Sequence, residues 1–334
     1  MNVSMCMKAI NVIPRVTKEE WNALDVISRW LIATRSAVLV MTFISAAIAG
    51  LLAARDGGFD LLLWLMVTVG LLFAHATNNL VNDLTDHIKG VDKDNYFRSQ
   101  YGPQPLEHGL MTKNQVLVYT AVTGMIALAA GLVLVATRGE ATLALLGTGA
   151  FFVLFYTWPL KYIGLGEVAV ILVWGPLMVG GGYYVITGHV STAVILASLP
   201  VALAATTVLF GKHIDKLDAD AVKGIRTMPV LLGERKARYA TIVMFTLEYA
   251  LVGALIASGY LSWLLLAVLG AMPWYRRALL AYSSPRPAAP PAQYPPNIWP
   301  LWYAAFAFQH TRRFGSLFLL GLSADVIARG LGWL

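Results

Sequence analysis

The chain has 334 residues, of which 58% are hydrophobic and only 13% are charged, and its mean hydropathy is +0.65. Soluble domains carry roughly 25% charged residues and about half apolar ones, so the composition excludes an ordinary soluble domain and indicates an integral membrane protein. The formal net charge is +7. The single cysteine, Cys6, excludes an internal disulfide framework.

A membrane-spanning helix needs about 20 mostly apolar residues. The predicted fold on that criterion is an all-α integral membrane protein, a bundle of about nine transmembrane helices with Asp-rich loops on the cytoplasmic side. The predicted spans cover residues 30–54, 58–80, 115–137, 140–158, 166–187, 191–211, 239–258, 260–281 and 314–333.

These spans are predicted to form a single transmembrane domain over residues 1–334. Residues 1–28 are interpreted as an N-terminal interfacial segment, because VTKEEWNALDVISRW mixes polar and apolar residues as an amphipathic helix does. Residues 283–300 are predicted to be a loop, because the prolines of SSPRPAAPPAQYPPNIWP interrupt a helix. The following LWYAAFAFQH is interpreted as an aromatic interfacial piece.

The distribution of positive charge predicts the orientation. With the N-terminus inside, all Lys and Arg residues except Arg55, Arg138 and Arg329 fall on the cytoplasmic side. This asymmetry follows the positive-inside rule, and it predicts a multi-pass protein of the inner (plasma) membrane. The positive charge is then explained by topology and by attraction to an anionic leaflet, and no nucleic-acid partner is expected.

Acidic residues form two clusters at predicted cytoplasmic ends of spans. The first cluster lies in NNLVNDLTDHIKGVDKD, after the second span, and the second lies in GKHIDKLDADAVKGIRT, after the sixth. The spacing of Asn79, Asp83 and Asp86 places them on one helical face. Asp220 points away from Asp215 on a regular helix, so that helix must end or unwind if the second cluster serves one site.

Carboxylates that face one another across a helix bundle form a hard oxygen site. Mg²⁺ prefers such ligands and shares them with substrate phosphate oxygens. Without a counter-charge these carboxylates would repel each other and lose hydration near the bilayer, so we expect Mg²⁺ and a diphosphate to bind there with the active site facing the cytoplasm. The alternative for any single aspartate is a solvated residue that caps a helix end. The candidate metal ligands are Asn82, Asp83, Asp86, Asp215, Asp218 and Asp220.

The ordered set of motifs resembles the UbiA superfamily of membrane prenyltransferases over nearly the whole chain. Its signature Asn-Asp-x-x-Asp with a downstream acid is matched by NDLTDHIKGVD. Its second signature, an Asp pair before a Gly-Lys-Arg/Lys-Thr turn, is matched approximately by DKLDADAVKGIRT. The likeness is closest to 1,4-dihydroxy-2-naphthoate prenyltransferases of menaquinone synthesis, through GPQPLEHGLMT, YTWPLKYIGLGE and GGGYYVITG. Two departures are Gln104, where many relatives have a basic residue, and Lys216, where an acid is expected.

The resemblance implies Mg²⁺-dependent transfer of a polyprenyl group from its diphosphate to an aromatic acceptor, with 1,4-dihydroxy-2-naphthoate as the expected acceptor. Other acceptors stay open: 4-hydroxybenzoate, haem, chlorophyllide or a glycerol-phosphate lipid. Loss of diphosphate leaves an allylic cation, and the metal and fixed positive groups would stabilise the leaving group. The catalytic residues would be Asp83, Asp86 and Lys161.

Further positions have candidate roles. Lys161 matches a family lysine and would bind the diphosphate, together with Arg98 and Arg226; the alternative for each is an ordinary topology-setting or loop charge. The candidates for acceptor binding are Tyr156, Glu167 and Asn78, for which the alternative is a helix-end or interface residue. His75 is interpreted as a buried hydrogen-bonded residue, or as a residue that lines a cavity beneath the first acidic cluster.

Two competing classes of membrane protein have different signatures. A phosphotransferase that uses CDP-alcohols would carry a dense DG-x-x-A-R pattern, which this sequence lacks. An ion transporter would place its acids near the membrane midplane in broken helices, whereas these acids are predicted at the cytoplasmic ends. The expected partners are therefore a polyprenyl diphosphate, an aromatic small molecule and membrane lipid.

Overall fold

A computed structural model describes residues 2–93, 102–294 and 299–334, and all regular secondary structure within these ranges is helical. The chain divides into two compact units. Unit 1 comprises Met1–Phe43 and Leu65–Pro159, and unit 2 comprises Ile44–Trp64 and Leu160–Leu334.

Unit 1 is built around α5 and the helices that follow it. Helix α6 begins with a capping box in which the side chains of Thr112 and Gln115 satisfy each other's backbone N–H groups. Gly139, with φ +80°, forms the tight connection from α6 to α7. The helices are α1 (Val3–Asn11), α2 (Lys18–Ala23), α3 (Val26–Ala33), the first part of α4 (Ser36–Arg55), most of α5 (Leu61–Ile88), α6 (Lys113–Arg138) and α7 (Glu140–Phe155).

The N-terminal segment of unit 1 folds as short helices packed on the unit. VTKEEWNALDVISRW forms two helices, α2 and α3, because the Asp25 carboxylate caps the first turn of α3. The backbone amide of Asn2 also donates to Asp25 at 2.8 Å, and this hydrogen bond lowers the pKa of the Asp25 carboxyl below its usual range. Trp21 is buried in one apolar cluster with Leu80 of α5 and Val116 of α6.

Unit 2 is organised around α9, which packs against α8, α12 and α14. Its core includes the buried side chains of Val179, Val201 and Phe314. The helices are the second part of α4, α8 (Gly166–Thr187), α9 (Thr192–Asp215), α10 (Leu217–Val222), α11 (Met228–Leu232), α12 (Glu234–Ala257), α13 (Trp263–Ser283) and α14 (Tyr303–Gly330).

Helix α8 contains an irregular stretch. Residues Val173–Gly181 form π-helical turns, with Pro176 inside them, and Pro176 cannot donate a backbone hydrogen bond. Gly175 in this stretch lies close to α9: a Cβ there would stand 3.0 Å from the Ser198 Oγ and 3.0 Å from the Ala202 Cβ. The glycine-rich sequence of α8 therefore permits close helix packing.

The predicted number of spans is not confirmed. In the described ranges, seven helices are long and apolar enough to cross a membrane, and Glu140–Phe155 is apolar but shorter. Most of LWYAAFAFQH and most of the predicted span 314–333 lie in the single 28-residue helix α14, which is not among the seven candidates. Two arginines near its middle and the Asp325–Arg329 ion pair near its end make α14 more polar than the other long helices.

The predicted proline-rich loop, residues 283–300, follows the end of α13. Helix α13 ends at Ser283, and residues 284–294 contain no helix. Residues 295–298 of this loop lie outside the described ranges.

Replacing Gly211 by alanine is expected to destabilise unit 2. A Cβ at Gly211 would stand 2.7 Å from the Ala304 nitrogen and 2.8 Å from the Tyr303 carbonyl carbon, and these backbone atoms cannot rotate away. We expect a loss of about 1–3 kcal/mol, the usual cost of overpacking, measured as a lower melting temperature in detergent. Gly253→Ala in α12 is the matched control, because a Cβ there meets nothing within 4 Å. Equal melting temperatures for the two variants would contradict this close approach.

Candidate active site

The first acidic cluster lies on the last turns of α5. Asn82, Asp83 and Asp86 stand within this helix, and Asp92 lies beyond its end at Ile88. The sequence predicted a loop here, but the structure continues the helix to Ile88. Its 28 residues extend about 42 Å, so the helix is longer than the roughly 30 Å hydrocarbon core of a membrane. The cluster therefore occupies rigid positions on a helix.

Three asparagines bind α5 to the ends of its neighbours in unit 1. In each case the side-chain amide nitrogen donates to an oxygen at the end of α3 or α7, so these bonds fix the last turns of α5. The bonds are Asn78 Nδ2 to the Val153 carbonyl at 2.9 Å, Asn79 Nδ2 to the Thr34 carbonyl at 2.8 Å, and Asn82 Nδ2 to Thr157 Oγ1 at 2.9 Å.

Arg35 is a candidate site residue that the sequence interpretation did not include, having counted it only as a topology-setting charge. Its guanidinium forms an ion pair with the Asp83 carboxylate. Arg35 has φ +55°, a left-handed conformation that few non-glycine residues adopt, and it occupies the corner between α3 and α4. The available signal was a lone arginine in the apolar sequence LIATRSAVLV, since an ionisable residue within a predicted membrane span usually pairs with another polar group.

The carboxylates of the first cluster are buried, with Asp83 exposed by 3%, Asp86 by 4% and Asp92 by 4%. Buried carboxylates need opposite charge nearby, and Arg35 supplies one such charge to Asp83. In the described ranges no three His, Cys, Asp or Glu side chains form a group that could hold a metal ion. Mg²⁺, however, commonly binds through one or two carboxylates together with substrate phosphates and water. The chemistry of Asp83, Asp86 and the Asn82 amide therefore fits Mg²⁺ held jointly with a diphosphate.

Two predicted acceptor-binding residues lie together in unit 1. Tyr156 follows the last residue of α7 and adjoins Thr157, the partner of Asn82. Asn78 contacts the same end of α7 through Val153. His75 Nδ1 lies 2.7 Å from Thr42 Oγ1, as the hydrogen-bonded interpretation expects. Of the other predicted residues in this part of the sequence, Arg98 lies outside the described ranges.

The second acidic cluster lies in unit 2, where the helix ends between Asp215 and Asp220, as one site shared by the three acids would need. Helix α9 ends at Asp215, Lys216 is non-helical with φ −117° and ψ 22°, and α10 carries Asp218 and Asp220. Asp215 and Asp220 are buried with 3% and 1% exposure, whereas Asp218 is exposed.

Asp215 caps the first turn of α14. Its carboxylate accepts hydrogen bonds from the backbone N–H groups of Trp302, Tyr303 and Ala304 at 3.1, 2.9 and 2.9 Å, which would otherwise lack helical partners. A carboxylate at this end also opposes the positive end of the helix dipole. Arg286 donates to the Asp215 backbone carbonyl at 3.1 Å and supports the same junction.

Asp220 forms a buried ion pair with Lys216. The Lys216 Nζ lies 2.8 Å from Asp220 Oδ1, and the two side chains are exposed by 9% and 1%. The lysine at the position where an acid was expected therefore neutralises the neighbouring acid of the cluster.

Glu167 joins three helices beside the second cluster. Its Oε1 accepts from His213 Nδ1 at 2.6 Å and from the Met228 backbone N–H at 3.2 Å, connecting α8, α9 and α11. The Glu167 Oε2 is buried, and no hydrogen bond to it is formed within the described ranges.

Lys161 is buried in the short 3₁₀ turn Leu160–Ile163, which adjoins the turn containing Arg226. Gly164, with φ +78°, ends this turn, and a Cβ there would stand 3.4 Å from the Arg226 carbonyl oxygen. The Arg226 side chain is exposed. The structure thus gathers Lys161, Glu167 and Arg226 beside the second cluster within unit 2, while the sharing of one site by the two clusters stays a prediction.

Comparison with known proteins identifies the family of this chain. A match to the UbiA prenyltransferase family covers residues 43–306. The chain is 31% identical over 232 residues to the 1,4-dihydroxy-2-naphthoate octaprenyltransferase of Escherichia coli K12, covering 65% of this chain and 73% of that protein. It is 28% identical over 263 residues to UbiA prenyltransferase domain-containing protein 1 of Danio rerio, covering 76% of this chain and 73% of that protein.

Two solved structures share the fold. An apo UbiA homolog from Aeropyrum pernix K1 superposes with a TM-score of 0.59 at 16% identity, covering 87% of this chain and 98% of that one. A UbiA homolog from Archaeoglobus fulgidus bound to GPP and Mg²⁺ gives 0.53 at 16% identity, covering 86% and 98%. Together with the seven apolar helices, these matches show that the chain is an integral multi-pass membrane enzyme and belongs to the UbiA prenyltransferase family.

Proposed function

We propose that this enzyme transfers a polyprenyl group from a polyprenyl diphosphate to an aromatic acceptor, and that the acceptor is 1,4-dihydroxy-2-naphthoate in menaquinone synthesis. The observation that carries the proposal is the buried pair Asp83 and Asp86 on consecutive turns of α5 in a prenyltransferase of the UbiA family. The E. coli relative named as a naphthoate octaprenyltransferase supports the acceptor. The A. fulgidus homolog bound to GPP and Mg²⁺ supports the donor and the metal.

In unit 1 the chain's own residues would hold and orient the metal ligands. Asp83 and Asp86, with the Asn82 amide, would bind Mg²⁺, which when bound supplies Lewis acidity to the diphosphate leaving group. Arg35 fixes the Asp83 carboxylate, because a planar guanidinium constrains the geometry of its partner more than a lysine does. Asn79 holds the backbone corner on which Arg35 stands.

In unit 2 the buried Lys161 is proposed to bind the diphosphate, with the exposed Arg226 as a second cation at the neighbouring turn. Arg98 keeps the same role as a proposal from the sequence. Glu167 Oε2 is the atom proposed to accept a hydrogen bond from an acceptor hydroxyl, because a buried carboxylate oxygen normally has a partner. Tyr156 and Asn78 remain proposed acceptor contacts.

The distribution of positive charge supports an inner (plasma) membrane location with the acidic clusters facing the cytoplasm. In that orientation, the water-soluble diphosphate is released to the cytoplasm while the prenyl chain stays in the apolar phase. Membership of a prenyltransferase family argues against the transporter alternative.

The proposal is tested by product analysis. The purified full chain in nanodiscs is supplied with polyprenyl diphosphates of several lengths and a panel of aromatic acceptors, with Mg²⁺ or with EDTA. We expect mass spectrometry to show a prenylated naphthoate product with Mg²⁺ and none with EDTA. A product only with another acceptor would reject the naphthoate assignment, and no prenylated product from any pair would reject the proposed reaction.

A further inference from the structure

The second acidic cluster carries its own cation. Lys216 lies between Asp215 and Asp220 in the sequence, and its Nζ is 2.8 Å from Asp220 Oδ1. Both side chains are almost completely buried, at 9% and 1% exposure. Breaking a buried pair leaves an uncompensated charge, so the negative charge of Asp220 is already balanced within the protein.

The other two acids of this cluster have different surroundings from those of a metal ligand. Asp215 accepts three backbone hydrogen bonds, and turning its carboxylate toward a metal would remove the cap of α14. Asp218 is exposed to solvent. The one buried carboxylate that remains, Asp220, is already paired with Lys216, so the residues of the second cluster do not fit a resident divalent ion.

We propose that the second cluster binds no divalent ion, and that the ε-ammonium of Lys216 supplies the positive charge to the substrate's diphosphate in its place. This inference rests on the proposed function, because it assumes a diphosphate substrate. An ammonium group carries three N–H donors, so the bond to Asp220 is compatible with contact to an anion, and lysine commonly binds phosphate as a point charge. Among the described residues, Asp83 and Asp86 are then the proposed ligands of the divalent ion.

The metal prediction is tested by counting bound Mn²⁺, used as a paramagnetic substitute for Mg²⁺. The free Mn²⁺ signal in electron paramagnetic resonance is titrated with wild type, Asp86→Asn, and the double variant Lys216→Met/Asp220→Asn. The double variant removes both charges and so leaves no unpaired buried ion. We expect Asp86→Asn to abolish tight Mn²⁺ binding and the double variant to bind as many ions as wild type. Loss of a Mn²⁺ ion in the double variant would overturn the inference.

The role of Lys216 is tested with inorganic pyrophosphate by calorimetry at saturating Mg²⁺. The double variant is expected to bind pyrophosphate about tenfold more weakly, the loss of one charge-assisted contact, whereas Lys216→Arg keeps the charge and should stay close to wild type. Equal affinity in the double variant and wild type would overturn the role of Lys216. Prenyl transfer by the wild type is measured separately, so a failure of the proposed reaction is distinguishable from a failure of this inference.

Discussion

Replacing Asp86 by asparagine is expected to lower the rate of prenyl transfer at least about a hundredfold, with the chain still folded. Asparagine keeps the shape of the side chain but lacks the negative charge that would hold the metal ion. A metal acting as a Lewis acid contributes several kcal/mol to transition-state stabilisation, and about 1.4 kcal/mol corresponds to a factor of ten in rate. The measurements are the rate of product formation at saturating Mg²⁺ and the melting temperature in detergent.

The control for Asp86→Asn is Glu140→Gln, which removes an exposed acid from the same unit and should leave the rate unchanged. Near-normal turnover of Asp86→Asn would remove Asp86 from the proposed metal site.

Asp83 requires a different design because of its ion pair with Arg35. Removing one partner of a buried pair costs about 3–5 kcal/mol, so Asp83→Asn should lose stability as well as activity. Asp83→Asn combined with Arg35→Gln should recover much of the stability but none of the activity. Recovery of both would show that Asp83 acts only through the fold.

Replacing Asp215 by alanine is expected to destabilise unit 2 by about 3 kcal/mol or more, since each buried N–H left without a partner costs about 1–3 kcal/mol. The variant deprives Trp302, Tyr303 and Ala304 of their acceptor. Asp215→Asn should lose less, because Asp215 Oδ1 alone accepts from Trp302 and Tyr303 and the amide oxygen can replace it. The melting temperatures should therefore fall in the order wild type, Asp215→Asn, Asp215→Ala.

The comparison with Asp218 separates a structural from a metal-binding role. Asp218 is exposed, so Asp218→Ala should change stability by no more than about 0.5 kcal/mol. A residue that acted chiefly as a metal ligand would lose activity equally in both Asp215 variants and keep its melting temperature. That pattern would contradict the capping role of Asp215.

The parts of the site that could be predicted depend on neighbours in sequence. The common face of Asn79, Asp83 and Asp86 follows from helical spacing, and α5 places all three on its last turns. The spacing of Lys216 and Asp220 also permits their pair. An interruption of the helix near Lys216 was expected if the three acids serve one site, and the helix does end there, although a shared site stays a prediction.

The parts that could not be predicted depend on tertiary contacts. Arg35 reaches Asp83 from the corner between α3 and α4, and no local sequence pattern connects the two. Helix α14 begins at Tyr303, before the predicted apolar span 314–333. Tyr303 and His310 are buried in unit 2, and their packing stabilises a part of the helix that hydropathy alone does not indicate. Asp215 looked like a metal ligand because its backbone partners are absent from the local sequence.

The cap at Asp215 also constrains the order in which this protein matures. The amide nitrogens that satisfy Asp215 lie 87 to 89 residues further along the chain, so they leave the ribosome long after the aspartate does. Until these amides are synthesised, the Asp215 carboxylate must stay hydrated, and the end of α9 cannot pack against the start of α14. A nascent chain halted before residue 302 would therefore lack a finished second cluster, because a segment synthesised later completes that end of unit 2.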